Sequence, residues 1–157
     1  MSNGIESLSH LERRRIEAEI AVPLIRGFEA EMGRERALAT AAGVISELAR
    51  EAGRKLAASM GSSDIGDFAK ALKIWSAGGA LELEILRLEP DALDFNVTRC
   101  RYAEMYREMG AAEMGVALSC GRDFSFVEGF SSGLKLVRTQ TIMEGAPHCD
   151  FRISARS

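Results

Sequence analysis

The apolar residues Leu11, Ile16, Ile20, Leu24, Ile25, Phe28 and Met32 recur at helical spacing. They predict a helix from Leu11 to Met32, kinked or split by Pro23. After Gly33 a second helix is predicted to about Met60, with Leu38, Ala41, Val44 or Ile45, Leu48, Ala52 and Leu56 as its buried stripe. Gly61-Ser62-Ser63-Asp64 breaks that pattern and offers a cap for a third helix. This third helix covers about Ile65 to Ala77, carries Phe68, Leu72 and Trp75 on one side, and ends at Gly78-Gly79.

Beyond this point the period drops from 3.6 to 2. Residues 81–88 and 92–100 read as two strands joined by the turn Glu89-Pro90-Asp91, hence a hairpin. Strict alternation in the second strand puts Asn96, Thr98 and Cys100 on one face. Residues 102–109, 111–117 and 119–130 read as short helices separated by Gly110 and Ser119. Alternation returns from Leu134 to Met143 and over 148–154, with Glu144-Gly145-Ala146-Pro147 between them, which predicts a second hairpin. The expectation is an α+β fold, with N-terminal helices packed on an antiparallel sheet of about four strands. The sheet comes from two hairpins with short helices between them. The whole of 1–157 reads as a single domain, helical over 8–78 and α+β over 80–157.

Composition adds boundaries to this picture. A chain of 157 residues can bury a core without disulfides, and a net charge of −3 gives no long-range attraction to nucleic acid or anionic lipid. The run Arg13-Arg14-Arg15, flanked by Glu12, Glu17 and Glu19, reads as a solvated helix face. No stretch approaches the roughly 20 apolar residues of a membrane span, and residues 1–7 carry no apolar core of a signal peptide. Three cysteines, an odd number, argue against a disulfide framework, so a reduced, cytoplasmic protein is expected. The expected partner is a small molecule, with neither nucleic acid nor membrane. The apolar N-terminal helices leave packing within one chain or between copies in a homo-oligomer equally open.

Candidate chemistry concentrates in the last third. Cys100, Cys120 and Cys149 sit among Asn96, Thr98, Asp123, His148 and Asp150 rather than among apolar neighbours. These residue types activate nucleophiles, bind metals or hold anions. Free cysteine is often a buried packing residue, and from local sequence alone Cys149 reads as that, beside a surface His148. A thiolate or metal ligand at a strand start is the functional alternative. Cys120 and Asp123 lie one helical turn apart, and read as two ligands, as nucleophile and orienting carboxylate, or as a plain helix start with Asp123 capping or solvated. Ser119 as the cap would place Cys120 where the helix dipole lowers a thiol pKa. Arg138 either snorkels at a sheet edge or holds a carboxylate in a cavity. Asn96, Thr98, Thr139 and Thr141 either contact substrate or serve only as polar strand residues. His10 lies in a segment expected to fray, which leaves His148 as the candidate imidazole.

Three segments also carry a family pattern: Asn96 to Glu104, Cys120-Gly121-Arg122-Asp123-Phe124, and the long stretch from Arg138 to Arg152. In this order they resemble the L-2-amino-thiazoline-4-carboxylic acid hydrolase family, with the specific likeness beginning near residue 90. The resemblance implies a hydrolase that opens a small cyclic amidine, thiazoline or amide ring. In the reaction that names the family, water converts an aminothiazoline carboxylate to N-carbamoyl-cysteine.

Two mechanisms fit the residues. In one, Cys120 or Cys149 attacks as thiolate, Asp123 or His148 moves protons, and Arg138 holds the substrate carboxylate, with Asn96, Thr98, Cys100, Thr139 and Thr141 as further contacts. In the other, a divalent metal such as zinc, iron or manganese, bound by Cys100, Cys120, His148 or Cys149, supplies the attacking water. A non-catalytic sensor domain for small molecules or metals is the competing class.

Overall fold

A computed structural model describes residues 7–157, so the reading of the first six residues lies outside the described part. Three helices come first: α1 (His10–Met32), α2 (Arg34–Met60) and α3 (Ile65–Trp75). The hairpin β1 (Leu81–Glu89) and β2 (Ala92–Cys100) follows, then the short helices α4 (Arg101–Glu108), α5 (Ala112–Gly115) and α6 (Arg122–Phe130). The chain closes with β3 (Leu134–Val137) and β4 (Cys149–Ala155). The four strands form one antiparallel sheet in the order β1-β2-β4-β3, so the fold is α+β as expected.

Local chemistry explains most boundaries. Ser9 and Glu12 close a reciprocal capping box, and Asp64 accepts from the Asp67 N–H to start α3. Gly61 ends α2 with a left-handed φ of 70°, which favours glycine. Pro23 neither kinks α1 into two elements nor ends it. Its ring lies on the exposed side, so the carbonyl it leaves without an intrahelical donor faces water.

The buried helix faces differ only in part from those expected: Ile25 of α1 and Leu38, Ala41, Ile45 and Leu56 of α2 pack against the core as the spacing predicts. Ile16, Ile20, Leu24 and Phe28 of α1 are half or more exposed, as are Val44 and Leu48 of α2. The most fully buried residues are Ala18, Val22 and Ile25 on α1, and Ala37, Ala49 and Gly53 on α2. On α2 small residues are the most buried because α2 and α6 touch through their backbones. A Cβ on Gly129 would stand 1.9 Å from the Arg50 carbonyl oxygen, and one on Gly53 would stand 2.3 Å from that of Phe126. Gly129→Ala is therefore expected to destabilise by about 3 kcal/mol, read as a lower urea midpoint at unchanged slope. An unaltered midpoint would show that the two helices separate at no cost.

The second hairpin is shorter than its alternation predicts. β3 stops at Val137, opposite Arg152, and residues 138–148 form a loop containing a 3-10 turn at Ile142–Glu144. The strict alternation assumed for β2 also fails. Glu82 pairs with Arg99 and Leu83 with Val97, so Thr98 is the extra residue of a bulge. Past a bulge the faces exchange. Cys100 thus joins Phe95 and Val97 on the inner face, while Thr98 is exposed.

Two apolar clusters result. One holds the sheet, α3 and α6; the other holds α1, α4, α5 and Met143. Cys100 packs against both.

Candidate active site

Between the two clusters lies a cavity of about 120 Å³. Cys100, Cys120, Cys149, Asp123 and Arg138 all line it, as do His10, Arg14, Tyr102 and Arg122. Phe95, Phe126, Phe151 and Trp75 supply much of the apolar wall, and Ala49 and Ala52 leave room on the α2 side. Roughly 300–1,000 Å³ is usual for drug-sized ligands, so this volume suits a small ring.

At its polar end Arg138 and Asp123 form an ion pair. Arg138 Nη1 donates to Asp123 Oδ2 at 2.5 Å, and Nη2 donates to the Cys120 carbonyl at 3.1 Å. The guanidinium also lies over the rings of Phe124 and Phe151, 4.9 and 5.3 Å from their centroids. Burial moves the Asp123 carboxyl from an ordinary 3.8 up to about 6, and Arg138 opposes that rise. Asp123 Oδ1 has no protein donor among the described residues and is not sealed from the cavity. Asp123 therefore carries a charge at neutral pH and keeps one oxygen open.

The thiols behave differently. Burial pushes Cys100 up to about 11 and raises Cys120 and Cys149 as well. Asp123 adds to the rise at Cys120. Cys100 Sγ caps α4 by accepting from the Ala103 N–H at 3.4 Å, and Cys149 Sγ accepts from the Ile142 N–H at 3.2 Å. Cys120 Sγ has no such partner among the described residues. Ser119 makes no cap there: Cys120 ends a π-helical turn, Val116–Cys120, that runs into α6. The expected lowering of the Cys120 thiol is reversed, because the apolar wall outweighs any helix-end charge.

The 138–150 loop explains the long closing motif. The Asp150 carboxylate accepts from the Thr139 N–H, the Thr139 hydroxyl and the Gln140 N–H. Thr141 bonds Glu144 at 2.7 Å, and Gln140 Nε2 reaches the His148 carbonyl at 2.9 Å. These bonds fold the loop that presents Arg138 and Cys149. Thr139, Thr141 and His148 do not line the cavity. Nor do Asn96, which accepts from Arg152, and Thr98, whose hydroxyl reaches the Glu82 carbonyl. Five predicted site residues thus converge, and five serve elsewhere. The metal set drawn from Cys100, Cys120, His148 and Cys149 is not assembled: His148 lies outside the cavity. Among the described residues no three His, Cys, Asp or Glu side chains are arranged to hold an ion. Cys100, Cys120, His148 and Cys149 therefore do not form one coordination shell in this structure.

Three residues on one face of α1 are dismissed by the sequence reading, His10 as frayed and Arg14 and Glu17 as solvated. His10, Arg14 and Glu17 follow i, i+4, i+7 spacing, the signal that could have found them. The capping box orders the first turn, so His10 does not fray but sits edge-on to Tyr102, 6.0 Å between ring centroids. Burial, with Arg14 and Arg122 nearby, lowers His10 to about 4, so its imidazole is neutral. Arg14 is not part of a solvated face either; its side chain is 14% exposed, like that of Arg122.

The family model described as L-2-amino-thiazoline-4-carboxylic acid hydrolase matches residues 13–153. No curated protein matches the chain. Among solved structures, a trafficking protein particle complex subunit 3 from Naegleria fowleri, covalently bound to palmitic acid, is similar at 8% identity and a TM-score of 0.53. That likeness covers 92% of this chain and 96% of the other, and concerns the fold alone. The phenol-responsive sensory domain of the transcription activator PoxR, solved with phenol, aligns at 13% identity and a TM-score of 0.49, covering 88% and 73% of the two chains.

Proposed function

The chain belongs to the L-2-amino-thiazoline-4-carboxylic acid hydrolase family, and on that premise we propose that it opens the ring of a small cyclic amidine, thiazoline or amide with Asp123 as general base. The observation that carries this reading is the open Oδ1 of Asp123, on a carboxylate whose pKa of about 6 suits a base at neutral pH. Oδ1 takes a proton from water as the water oxygen bonds to the ring carbon, and the C=N (or, in an amide, C=O) electron pair moves to its heteroatom. Collapse of that adduct breaks the bond to the ring sulfur or nitrogen, and the Asp123 carboxyl returns its proton to the leaving atom. In an amidine or thiazoline the adduct's hydroxyl proton moves to the nitrogen that took the C=N pair as the carbonyl forms. An aminothiazoline carboxylate would give N-carbamoyl-cysteine. Arg138 serves here as the counter-ion that keeps Asp123 ionised, and cytoplasmic residence belongs to the same proposal.

The experiment is a panel of aminothiazoline carboxylate, cyclic amidines and lactams, with and without added divalent metal, analysed by mass spectrometry. The expected product carries one added water. Tight binding without turnover across the panel would favour a sensor instead.

A second reading has Cys120 as the nucleophile, favoured by its unpartnered sulfur one turn from Asp123. Its thiol would pass its proton to Asp123 while the sulfur adds to the ring carbon, and the ring C–S or C–N bond would break with that proton going to the leaving atom. Water would then displace the Cys120 sulfur from the carbon, restoring the thiol and releasing the product. The two readings differ on the thiols. Cys100, raised from 9.0 to about 11, should hold about 100-fold less thiolate than an ordinary cysteine. Alkylation at pH 7, followed residue by residue, is expected to be slow to that extent at Cys100 and slower than at an ordinary cysteine at Cys120 and Cys149. Cys120→Ser is expected to retain activity within about tenfold. A substrate adduct on Cys120 in a quenched reaction would decide for the thiol.

A further inference from the structure

We infer that Arg14 and Arg122, and not Arg138, form the subsite for the substrate's carboxylate, with Glu17 as the internal anion that steadies them while the cavity is empty. This rests on the hydrolase reading for the identity of the ligand, but on independent geometry for the site. Arg138 has committed its two Nη groups to Asp123 and the Cys120 carbonyl. A second carboxylate there would compete with the general base for its own counter-ion and would bring two like charges together.

Arg14 and Arg122 are differently placed. They come from α1 and α6, both face the cavity, and each side chain is only 14% exposed. Arg14 donates through Nη1 alone to Glu17, at 2.9 and 2.7 Å to its two oxygens. Arg122 spends Nε on the Leu118 carbonyl at 2.7 Å and reaches Glu17 with Nη2 at 3.4 Å. Among the described residues no protein acceptor meets Nε or Nη2 of Arg14, or Nη1 of Arg122. Glu17 does not line the cavity and is 52% exposed, so solvent screens what it offers.

Two guanidinium groups thus share one half-solvated carboxylate while keeping free donors, and burial together with Arg14 lowers Arg122 to about 10. An anion entering from the cavity side would relieve both the repulsion and the unmet donors, in the bidentate manner guanidinium favours. Neutral His10, one turn before Arg14, adds no competing charge. The ligand class is a small heterocycle bearing one carboxylate. The acid group would point toward α1, and its ring would lie against Trp75 and the thiols.

Thiazolidine-4-carboxylate, which lacks the reactive C=N bond, separates binding from turnover, and its carboxamide removes the charge. Binding can be read from Trp75, the chain's one tryptophan and part of the cavity wall. The wild-type protein is expected to prefer the acid over the amide. Arg14→Gln should weaken the acid by about 10- to 100-fold, the range of a lost charge-assisted bond, and the amide by much less. Glu17→Gln, which removes the competing internal anion, should tighten the acid. Thermal melts check that each variant is folded. Selective loss of the acid upholds the subsite even if no panel member is turned over. Equal loss of acid and amide, or no preference for the acid in the wild type, overturns it even if hydrolysis is found.

Discussion

Asp123→Asn is expected to lower turnover at pH 7 by about a thousandfold, the scale of a lost general base, while leaving the protein folded. Asparagine preserves the shape of the side chain and can still accept from Arg138 through its carbonyl oxygen, so the cavity wall keeps its hydrogen bond. What disappears is the capacity to take a proton. The wild-type pH profile supplies the companion measurement. Asp123 works as a base only when ionised, and its pKa is raised to about 6. The rate kcat/KM should therefore rise with pH through about 6 and fall about tenfold per unit below it. The variant should lack that limb. His10, lowered to about 4, does not titrate in the same window and leaves the assignment clean. If Asp123→Asn kept wild-type turnover, the base would have to be sought elsewhere in the cavity. A wild-type profile flat between pH 5 and 7 would show that Asp123 is not the titrating group.

The features that made the fold legible were those set by short-range physics. Helix spacing with Gly33, Gly61 and Asp64 as punctuation placed three helices, and the turn at 89–91 placed the first hairpin. The convergence of Cys100, Cys120, Cys149, Asp123 and Arg138 was also legible, because polar residues clustered around every cysteine. What escaped depended on tertiary contacts. The bulge at Thr98 exchanged the faces of β2 and brought Cys100 inward, which alternation alone cannot foresee. Thr139 and Thr141 looked like substrate contacts and turned out, with Asp150, to tie a loop, because a part-buried loop must satisfy its own backbone donors. Arg14 looked solvated because two exposed neighbours, Arg13 and Arg15, surround it in sequence; its period with His10 and Glu17 held the information instead. On α2 the expected Val44 and Leu48 are exposed for a related reason. Close backbone approach at Gly53 and Gly129 selects small residues for the interior, while hydropathy weights the larger ones now on the surface.

Arg138→Met is expected to cost about 4 kcal/mol of stability at pH 8, because it leaves a buried carboxylate without its cation. Methionine fills much of the volume between Phe124 and Phe151, so the packing loss is the smaller part. The pH dependence separates the two. The folded-state pKa of Asp123 already lies above its ordinary 3.8, so the folded protein holds this proton more tightly than the unfolded chain, and ionisation between 3.8 and 6 works against the fold. Removing Arg138 raises the folded-state pKa further, widening the range over which ionisation is resisted. The deficit relative to wild type should thus be smaller at pH 5, where both proteins carry a protonated Asp123, and grow toward pH 8. Urea midpoints at the two pH values measure it. Activity should follow the same electrostatics: the acid limb of kcat/KM moves to higher pH, and turnover at pH 7 falls because less of the base is ionised. A deficit equal at both pH values would mean that Arg138 contributes packing alone. An acid limb left near 6 would mean that Arg138 does not set the charge on Asp123, and its place beside the base would then need a different explanation, such as direct contact with substrate.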